Sequence, residues 1–300
     1  MQHEYECTFG IADWHMLTTG YQRIDNLQEN IFGVVVDWLS AGLDPEVATF
    51  MVQSYVPQHA ELHLLLSMIT PLGWLERCPT YKDWLRELDL RDKASYGLLG
   101  YPVLQAADII IYKADTVPVG EDQLPHLEIT REIVRRFNNL FGEVFPEPQG
   151  LVTKSARVVG LDGQKKMSKS LNNAIFLSDD AKTLKQKVNS MFTDPQKIRK
   201  DDPGHPEGCA VFAFYKLYAP EEVGELEREC KAGKRGCVAC KQRLAKLLQA
   251  RLEPIQEKQR QLESTPDYVW DILRDGSAKA REVAEATMAE VREKLNLVHK

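Results

Sequence analysis

Lys166-Met167-Ser168-Lys169-Ser170 sets two lysines three apart, interleaved with two serines, shortly after the turn pair Asp162-Gly163. Lysine ammoniums are point charges on long stems, and serine hydroxyls are short-range donors. The string therefore has the make-up of a mobile clamp for a polyphosphate whose charge shifts during reaction. A lone KxxK reads equally as a solvated basic loop, but Asn172-Asn173 and Ser178-Asp179-Asp180 follow here and make the string more specific. Asp108 poses a second chemical question. It stands in Ala106-Ala107-Asp108-Ile109-Ile110-Ile111, and a carboxylate among such neighbours is costly to bury unless a donor meets it; otherwise it faces solvent or caps a helix. A third group is Cys209, Cys230, Cys237 and Cys240, spaced C-x20-C-x6-C-x2-C. A tight C-x2-C with two further thiols can close a tetrahedral thiolate site, and zinc and a 4Fe–4S cluster are both compatible with the spacing. Cys7 and Cys78 stand apart and read as packed core thiols. His59 and His63 lie four apart, but Ala60 follows His59, so the H-E-x-x-H metal motif is not met and the pair reads as the polar face of a helix.

The elements that must position these groups alternate. Cys7 to Ala12 reads as a buried strand ending in Asp13-Trp14-His15, Asp25 to Leu43 as a helix, and Ala48 to Val56 as a second strand. A helix opens at Pro57, helical packing covers Gly97 to Ile111, and a charged loop or short helix runs from Pro79 to about Lys93. Thr116 to Val119 reads as a strand, followed by Gly120-Glu121-Asp122-Gln123 and a helix from Pro125 to Asn138. Such alternation predicts a parallel sheet with helical crossovers, whose C-terminal edge is where α/β folds bind ligands. A short strand from Ala156 to Leu161 leads into the lysine string, and from Ala181 onward the periodicity is wholly helical. We expect an α/β domain over 1–180 and an all-α domain over 181–300.

Three hundred residues allow about two domains. A net charge of -6 excludes a wholly basic nucleic-acid binder, so any RNA partner needs local basic patches. One candidate lies between Cys230 and Arg251, where every charged residue is basic. No window has the apolar length of a membrane span, and the first residues lack the apolar core of a signal peptide, so a cytoplasmic protein with six reduced or metal-bound cysteines is expected.

Ala12-Asp13-Trp14-His15, Tyr101-Pro102-x-x-Gln105-Ala106-Ala107-Asp108, Val117-Pro118-Val119-Gly120-Glu121-Asp122-Gln123-x-x-His126 and Lys166-Met167-Ser168-Lys169-Ser170 occur in this order. Together they resemble the bacterial tryptophanyl-tRNA synthetases of class I, over nearly the whole chain from Gln2 to about Val298. The resemblance implies a Rossmann-like catalytic domain and a helical domain that reads the tRNA anticodon, in a homodimer. It implies that Asp108 accepts the indole N–H of L-tryptophan, that Gln105, Tyr101, Val117, Val119 and His15 complete the pocket, and that Gln123 lies near the amino-acid head group. Gly120, Glu121 and Asp122 match nucleotide contacts, and Val158 matches a backbone contact to adenine. Lys166, Met167, Ser168, Lys169 and Ser170 match the ATP–Mg²⁺ phosphate site, with Lys166, Ser168 and Lys169 the catalytic members. A subset of the family carries a similar four-cysteine pattern and binds a 4Fe–4S cluster there, which would assign Cys209, Cys230, Cys237 and Cys240.

One departure stands out. Class I enzymes carry a His-x-Gly-His or His-x-Gly-Asn signature after their first strand, and no histidine of this chain is followed two residues later by glycine. The first strand and its turn are thus expected to be missing, as in a truncated frame or a paralogue that holds tryptophan or tRNA without activating the amino acid. A tyrosyl-type relative of the same fold is a third reading.

Overall fold

The structure is a computed structural model and describes residues 1–87, 94–152, 158–169 and 171–297. The chain packs as two compact units, Met1–Thr153 with Thr265–Lys300, and Lys154–Ser264. These limits differ from the expected division at residue 180 in two ways: the stretch 154–180 groups with the second unit, and the last helix belongs to the first.

In the first unit, β1 (Cys7–Ile11) is followed by α1 (Asp13–Gly20), α2 (Leu27–Ser40) and β2 (Ala48–Val52). β1 and β2 pair in parallel from Cys7↔Ala48 to Ile11↔Val52, a connection that requires a crossover, here α1 and α2. β1 alternates partly buried and exposed residues and so has only one covered face, unlike the fully buried strand expected. The second strand stops at Val52, short of Val56, because Gln53–Tyr55 turns in a single 3-10 step. Next come α3 (Gln58–Ser67), α4 (Leu72–Glu76), α5 (Pro79–Glu87) and α6 (Tyr96–Ile110), the last opened by Ser95, whose Oγ accepts from the Leu98 N–H at 3.1 Å. β3 (Thr116–Val119), α7 (Leu124–Phe141) and β4 (Gln149–Val152) form a second parallel pair, Thr116↔Gln149 to Val119↔Val152. The parallel sheet is thus present as two pairs among the described residues.

The second unit holds α8 (Ala181–Ser190), α9 (Ala210–Tyr218), α10 (Val223–Lys231) and α11 (Cys237–Glu263). α12 (Pro266–Lys294) then returns to the first unit. It lies directly on β2: a Cβ at Gly276 would overlap the Phe50 carbonyl oxygen, and the Val52 N–H donates to Ser277 Oγ at 3.1 Å. Ala280, Ala284, Met288 and Val291 of α12 are buried in one core with residues of α3, α6 and α7. The ion pair from Arg292 to Glu61 of α3 fastens its C-terminal half, and Arg292 also pairs with Glu285 of the same helix. The second unit has its own core, built on Leu184, Val188, Phe214, Tyr215 and Leu244. No helix among the described residues is long and apolar enough to cross a membrane.

Candidate active site

Tyr101, Gln105 and Asp108 sit on α6 at spacings of four and three, which stacks them on one helix face. Asp108 is met there by donors from three other elements. His15 of α1 approaches Oδ2 with Nε2 at 2.8 Å. His59, in the first turn of α3, approaches Oδ1 with Nδ1 at 2.6 Å, and Gln53 Nε2 donates to the same oxygen at 2.7 Å. Gln53 is itself oriented, because its Oε1 accepts from the Trp14 N–H at 3.1 Å. His59 is wholly buried, and its Nε2 lies 2.7 Å from the Tyr112 hydroxyl. Burial alone would push the Asp108 carboxyl up. The hydrogen bonds from His15 and His59 override that and hold it below the usual carboxylate range. The sequence question about a carboxylate in an apolar run is answered by donors, not by solvent.

His59 and His63 are therefore not simply the polar face of a helix. His59 is a core residue bonded to Asp108, and His63 is held below its ordinary value chiefly by burial. Sequence reasoning missed His59, Gln53 and Tyr112. The available signal was the cost of burying Asp108, which demands partners, together with a histidine and a glutamine just after a strand end.

Tyr101 packs its ring against Trp84, with centroids 4.9 Å apart, and its hydroxyl meets His126 Nε2 and Cys78 Sγ. Burial and the neighbouring Cys78 raise the Tyr101 phenol well above its ordinary value. Cys78 is buried as expected, whereas Cys7 is only half-buried on β1. Val117 and Val119 are half-buried and share one side of β3. Gly120 leads into the first turn toward α7, where a Cβ would come 2.6 Å from Asp122 Oδ1, and Gln123 Nε2 donates to Asp122 Oδ2 at 3.2 Å. Gly120, Glu121 and Asp122 are exposed at this strand end, the edge on which parallel folds bind ligands.

In the second unit, Val159 and Lys166 bridge in antiparallel fashion, so the lysine string leaves one arm of a tight hairpin. Gly163, at φ 72°, makes the turn, and Asp162 Oδ1 accepts from the backbone N–H groups of Gln164 and Lys165. Asn173, 4% exposed, ties the string down: its Oδ1 accepts from the Ser168 N–H at 2.8 Å, and its Nδ2 donates to Asp162 Oδ2 at 2.7 Å and to the Lys166 carbonyl at 3.2 Å. A Cβ at Gly160 would overlap that amide. Met167 and Val158 pack on the core of this unit, while Lys166 and Lys169 are exposed and Ser168 is half-buried. Ser170 and the strand residues Ala156 and Arg157 lie outside the described residues.

The four cysteines Cys209, Cys230, Cys237 and Cys240 line one cavity of the second unit, with Lys197, Arg235, Asp194 and His205. Burial and the mutual proximity of the thiols raise Cys209 and Cys230, and Cys240 to about 11. Gly204 gives Cys230 its room, since a Cβ there would come 2.6 Å from the sulfur. Among the described residues, no three His, Cys, Asp or Glu side chains gather as ligands of a single ion. Three of the seven basic residues in the stretch around these cysteines pair with acids outside it: Lys231 with Glu227, Arg235 with Glu229 and Arg243 with Glu222.

Residues 1–253 match the family model of class I tRNA synthetases (W and Y). The tryptophan–tRNA ligase of Thermotoga maritima is 47% identical, over 98% of this chain and 90% of its own length. That of Aquifex aeolicus is 44% identical, over 99% of this chain and 93% of its own. Among solved structures, the tryptophanyl-tRNA synthetase of Campylobacter jejuni complexed with ADP and tryptophan superposes with a TM-score of 0.88 at 37% identity, covering 98% of this chain and 91% of that one. The chain belongs to the tryptophan–tRNA ligase family of class I aminoacyl-tRNA synthetases.

Proposed function

We propose that the chain activates L-tryptophan with ATP and transfers it to its tRNA, with Asp108 as the acceptor that selects the indole ring. The observation that carries this is the ionised, part-buried Asp108 carboxylate, met by three donors and set beside Gln105 and Tyr101. Among large aromatic side chains only tryptophan offers a ring N–H, and a site built around a buried acceptor rejects rings that leave it unpaired. The tryptophan carboxylate attacks the α-phosphorus in line and pyrophosphate leaves. Acyl transfer to the terminal ribose of the tRNA follows. No covalent enzyme intermediate is needed, so the work falls to positioning and charge. Lys166, Ser168 and Lys169 neutralise the phosphates as charge shifts to the leaving group, with Mg²⁺ carried by the nucleotide, and Met167 anchors their loop. Gly120, Glu121, Asp122 and Val158 are assigned to the nucleoside, Gln123 to the amino-acid head group, and His15, Val117 and Val119 to the walls of the pocket. Tryptophan-dependent ATP–pyrophosphate exchange on this chain tests the reading, and exchange driven equally by tyrosine or phenylalanine would overturn it.

The four-cysteine cavity is assigned to a 4Fe–4S cluster. Four thiols on one wall set, with Gly204 yielding space at Cys230 and Lys197 and Arg235 to offset charge, fit a dianionic tetrathiolate group. When bound, the cluster would fix α9, α10 and α11 to one another. Anaerobic preparation should yield a brown protein with iron and sulfide; a colourless protein with stoichiometric zinc would overturn the assignment. Leu64 of α3 and Met68 just past its end are strongly exposed while Leu62 and Leu66 are buried, and they support a homodimer through that face. The partner tRNA and a cytoplasmic site of action go with the same reading.

A further inference from the structure

Asp108 is fixed from behind. A carboxylate offers about four lone-pair directions, two on each oxygen. His59 and Gln53 fill both directions of Oδ1, and His15 takes one of Oδ2, which leaves a single open acceptor direction. Two donors from separate elements on one oxygen also stop the group from rotating about its own bond, so the open direction has a fixed aim. His59 holds its oxygen with a hydrogen on Nδ1, and in the neutral ring the Tyr112 hydroxyl favours that tautomer by donating to Nε2. Tyr112 keeps its proton, because burial and the adjacent Asp108 charge both raise its phenol. Neither His59, wholly enclosed in the core, nor Tyr112 behind it stands where a substrate touches.

We propose that His59, backed by Tyr112, is the positioning residue that aims Asp108 at an indole N–H, and that it thereby sets the preference for tryptophan over a ring of the same shape without that hydrogen. This rests on the reading of Asp108 as the indole acceptor. A histidine that merely filled space would support all ligands of that shape equally. One that aims an acceptor supports only the ligand that donates to it.

The test compares equilibrium binding of L-tryptophan with that of L-3-benzothienylalanine, in which sulfur replaces the ring N–H, on the full chain and on His59→Leu and Tyr112→Phe. A hydrogen bond to a charged group is worth roughly tenfold to a hundredfold in affinity. His59→Leu should therefore lower the tryptophan-to-analogue affinity ratio by about tenfold. Tyr112→Phe, which removes one oxygen and leaves the packing intact, should lower it by about threefold, with analogue affinity nearly unchanged. Equal losses for both ligands, or a ratio unmoved in Tyr112→Phe, would overturn the role of His59. If His59→Leu does not fold, Tyr112→Phe decides alone by the same criterion. An unsubstituted chain that binds the two ligands equally would overturn the acceptor reading of Asp108 and this inference with it. A chain that prefers tryptophan but ignores the Tyr112 change removes this inference only.

Discussion

The Asp108 carboxylate takes three donors from three elements, whereas Lys166 and Lys169 are exposed on a loop held through the backbone of Lys166 and Ser168 by Asn173. In the first region the functional atoms themselves are fixed. In the second the frame is fixed, by buried Asn173 and the packed side chain of Met167, and the charged ends are left on long stems. The chemistry of each task accounts for the difference. Selecting a ring N–H by one hydrogen bond depends on direction, and direction is lost if the acceptor turns. Following the charge that builds on the β- and γ-phosphates as their bond to the α-phosphorus breaks depends on proximity, which an ammonium on a long stem over a fixed base supplies.

The comparison predicts that substitutions in the two regions fall on different kinetic quantities. Asp108→Asn keeps the shape but swaps one oxygen for a donor amide facing His15 or the indole. Tryptophan affinity should drop about a hundredfold or more, the cost of opposing a buried donor with a donor. Equilibrium binding measures it, and an unchanged affinity would remove Asp108 from the pocket. Lys169→Ala should instead lower kcat of pyrophosphate exchange by about ten- to a hundredfold with tryptophan affinity unchanged, the pattern of a group that acts as charge develops. A Lys169→Ala enzyme with weakened tryptophan binding and normal kcat would collapse the distinction.

The alternation of strands and helices was legible in the sequence because period and turn residues are local signals: Gly42, at φ 103°, ends the α2 segment as expected, and α8 to α11 follow the helical periodicity read after Ala181. What was not legible depends on contacts remote in the chain. The home of α12 is decided by Gly276 meeting the Phe50 carbonyl, more than two hundred residues away. The end of β2 at Val52 is decided by Gln53 turning inward to reach Asp108 and Trp14. At the site, Asp108 stands out because burying a charge is expensive, while its partner His59 reads with His63 as the polar face of a helix. A residue in a hydrogen-bonded network carries no periodic mark of its own. In the run of basic residues from Lys231 to Arg251, three have acid partners that lie outside the window, Glu227, Glu229 and Glu222.

Asn173→Ala sharpens the comparison from the frame side. The substitution removes the acceptor of the Ser168 N–H and the donor to Asp162 and the Lys166 carbonyl, all within a buried amide. Lys166 and Lys169 themselves are untouched. If the clamp needs a fixed base, kcat of exchange should fall about tenfold while tryptophan affinity stays constant, and Asn173→Ala combined with Lys169→Ala should cost less than the product of the two. Full additivity would mean that Asn173 stabilises the hairpin without positioning the lysine.

The smallest effect concerns pH and separates the two regions by stability. Asp108 is held below its ordinary value of 3.8 in the folded chain, so the unfolded chain binds its proton first as the solution is acidified. Its contribution to stability is therefore complete above the ordinary value and drains away as pH falls through the lower, folded value. Denaturant unfolding of the unsubstituted chain and of Asp108→Asn should show a constant difference from neutral pH down to about 5, and a shrinking one below about 4. Asp162 is also depressed, by the backbone N–H groups of Gln164 and Lys165, but it stands at the surface, where such bonds compete with water. Asp162→Asn should accordingly show the same acid trend with a much smaller amplitude. A difference for Asp108→Asn that already changes between pH 7 and pH 5 would show that the Asp108 carboxyl is not the group whose proton uptake sets the trend.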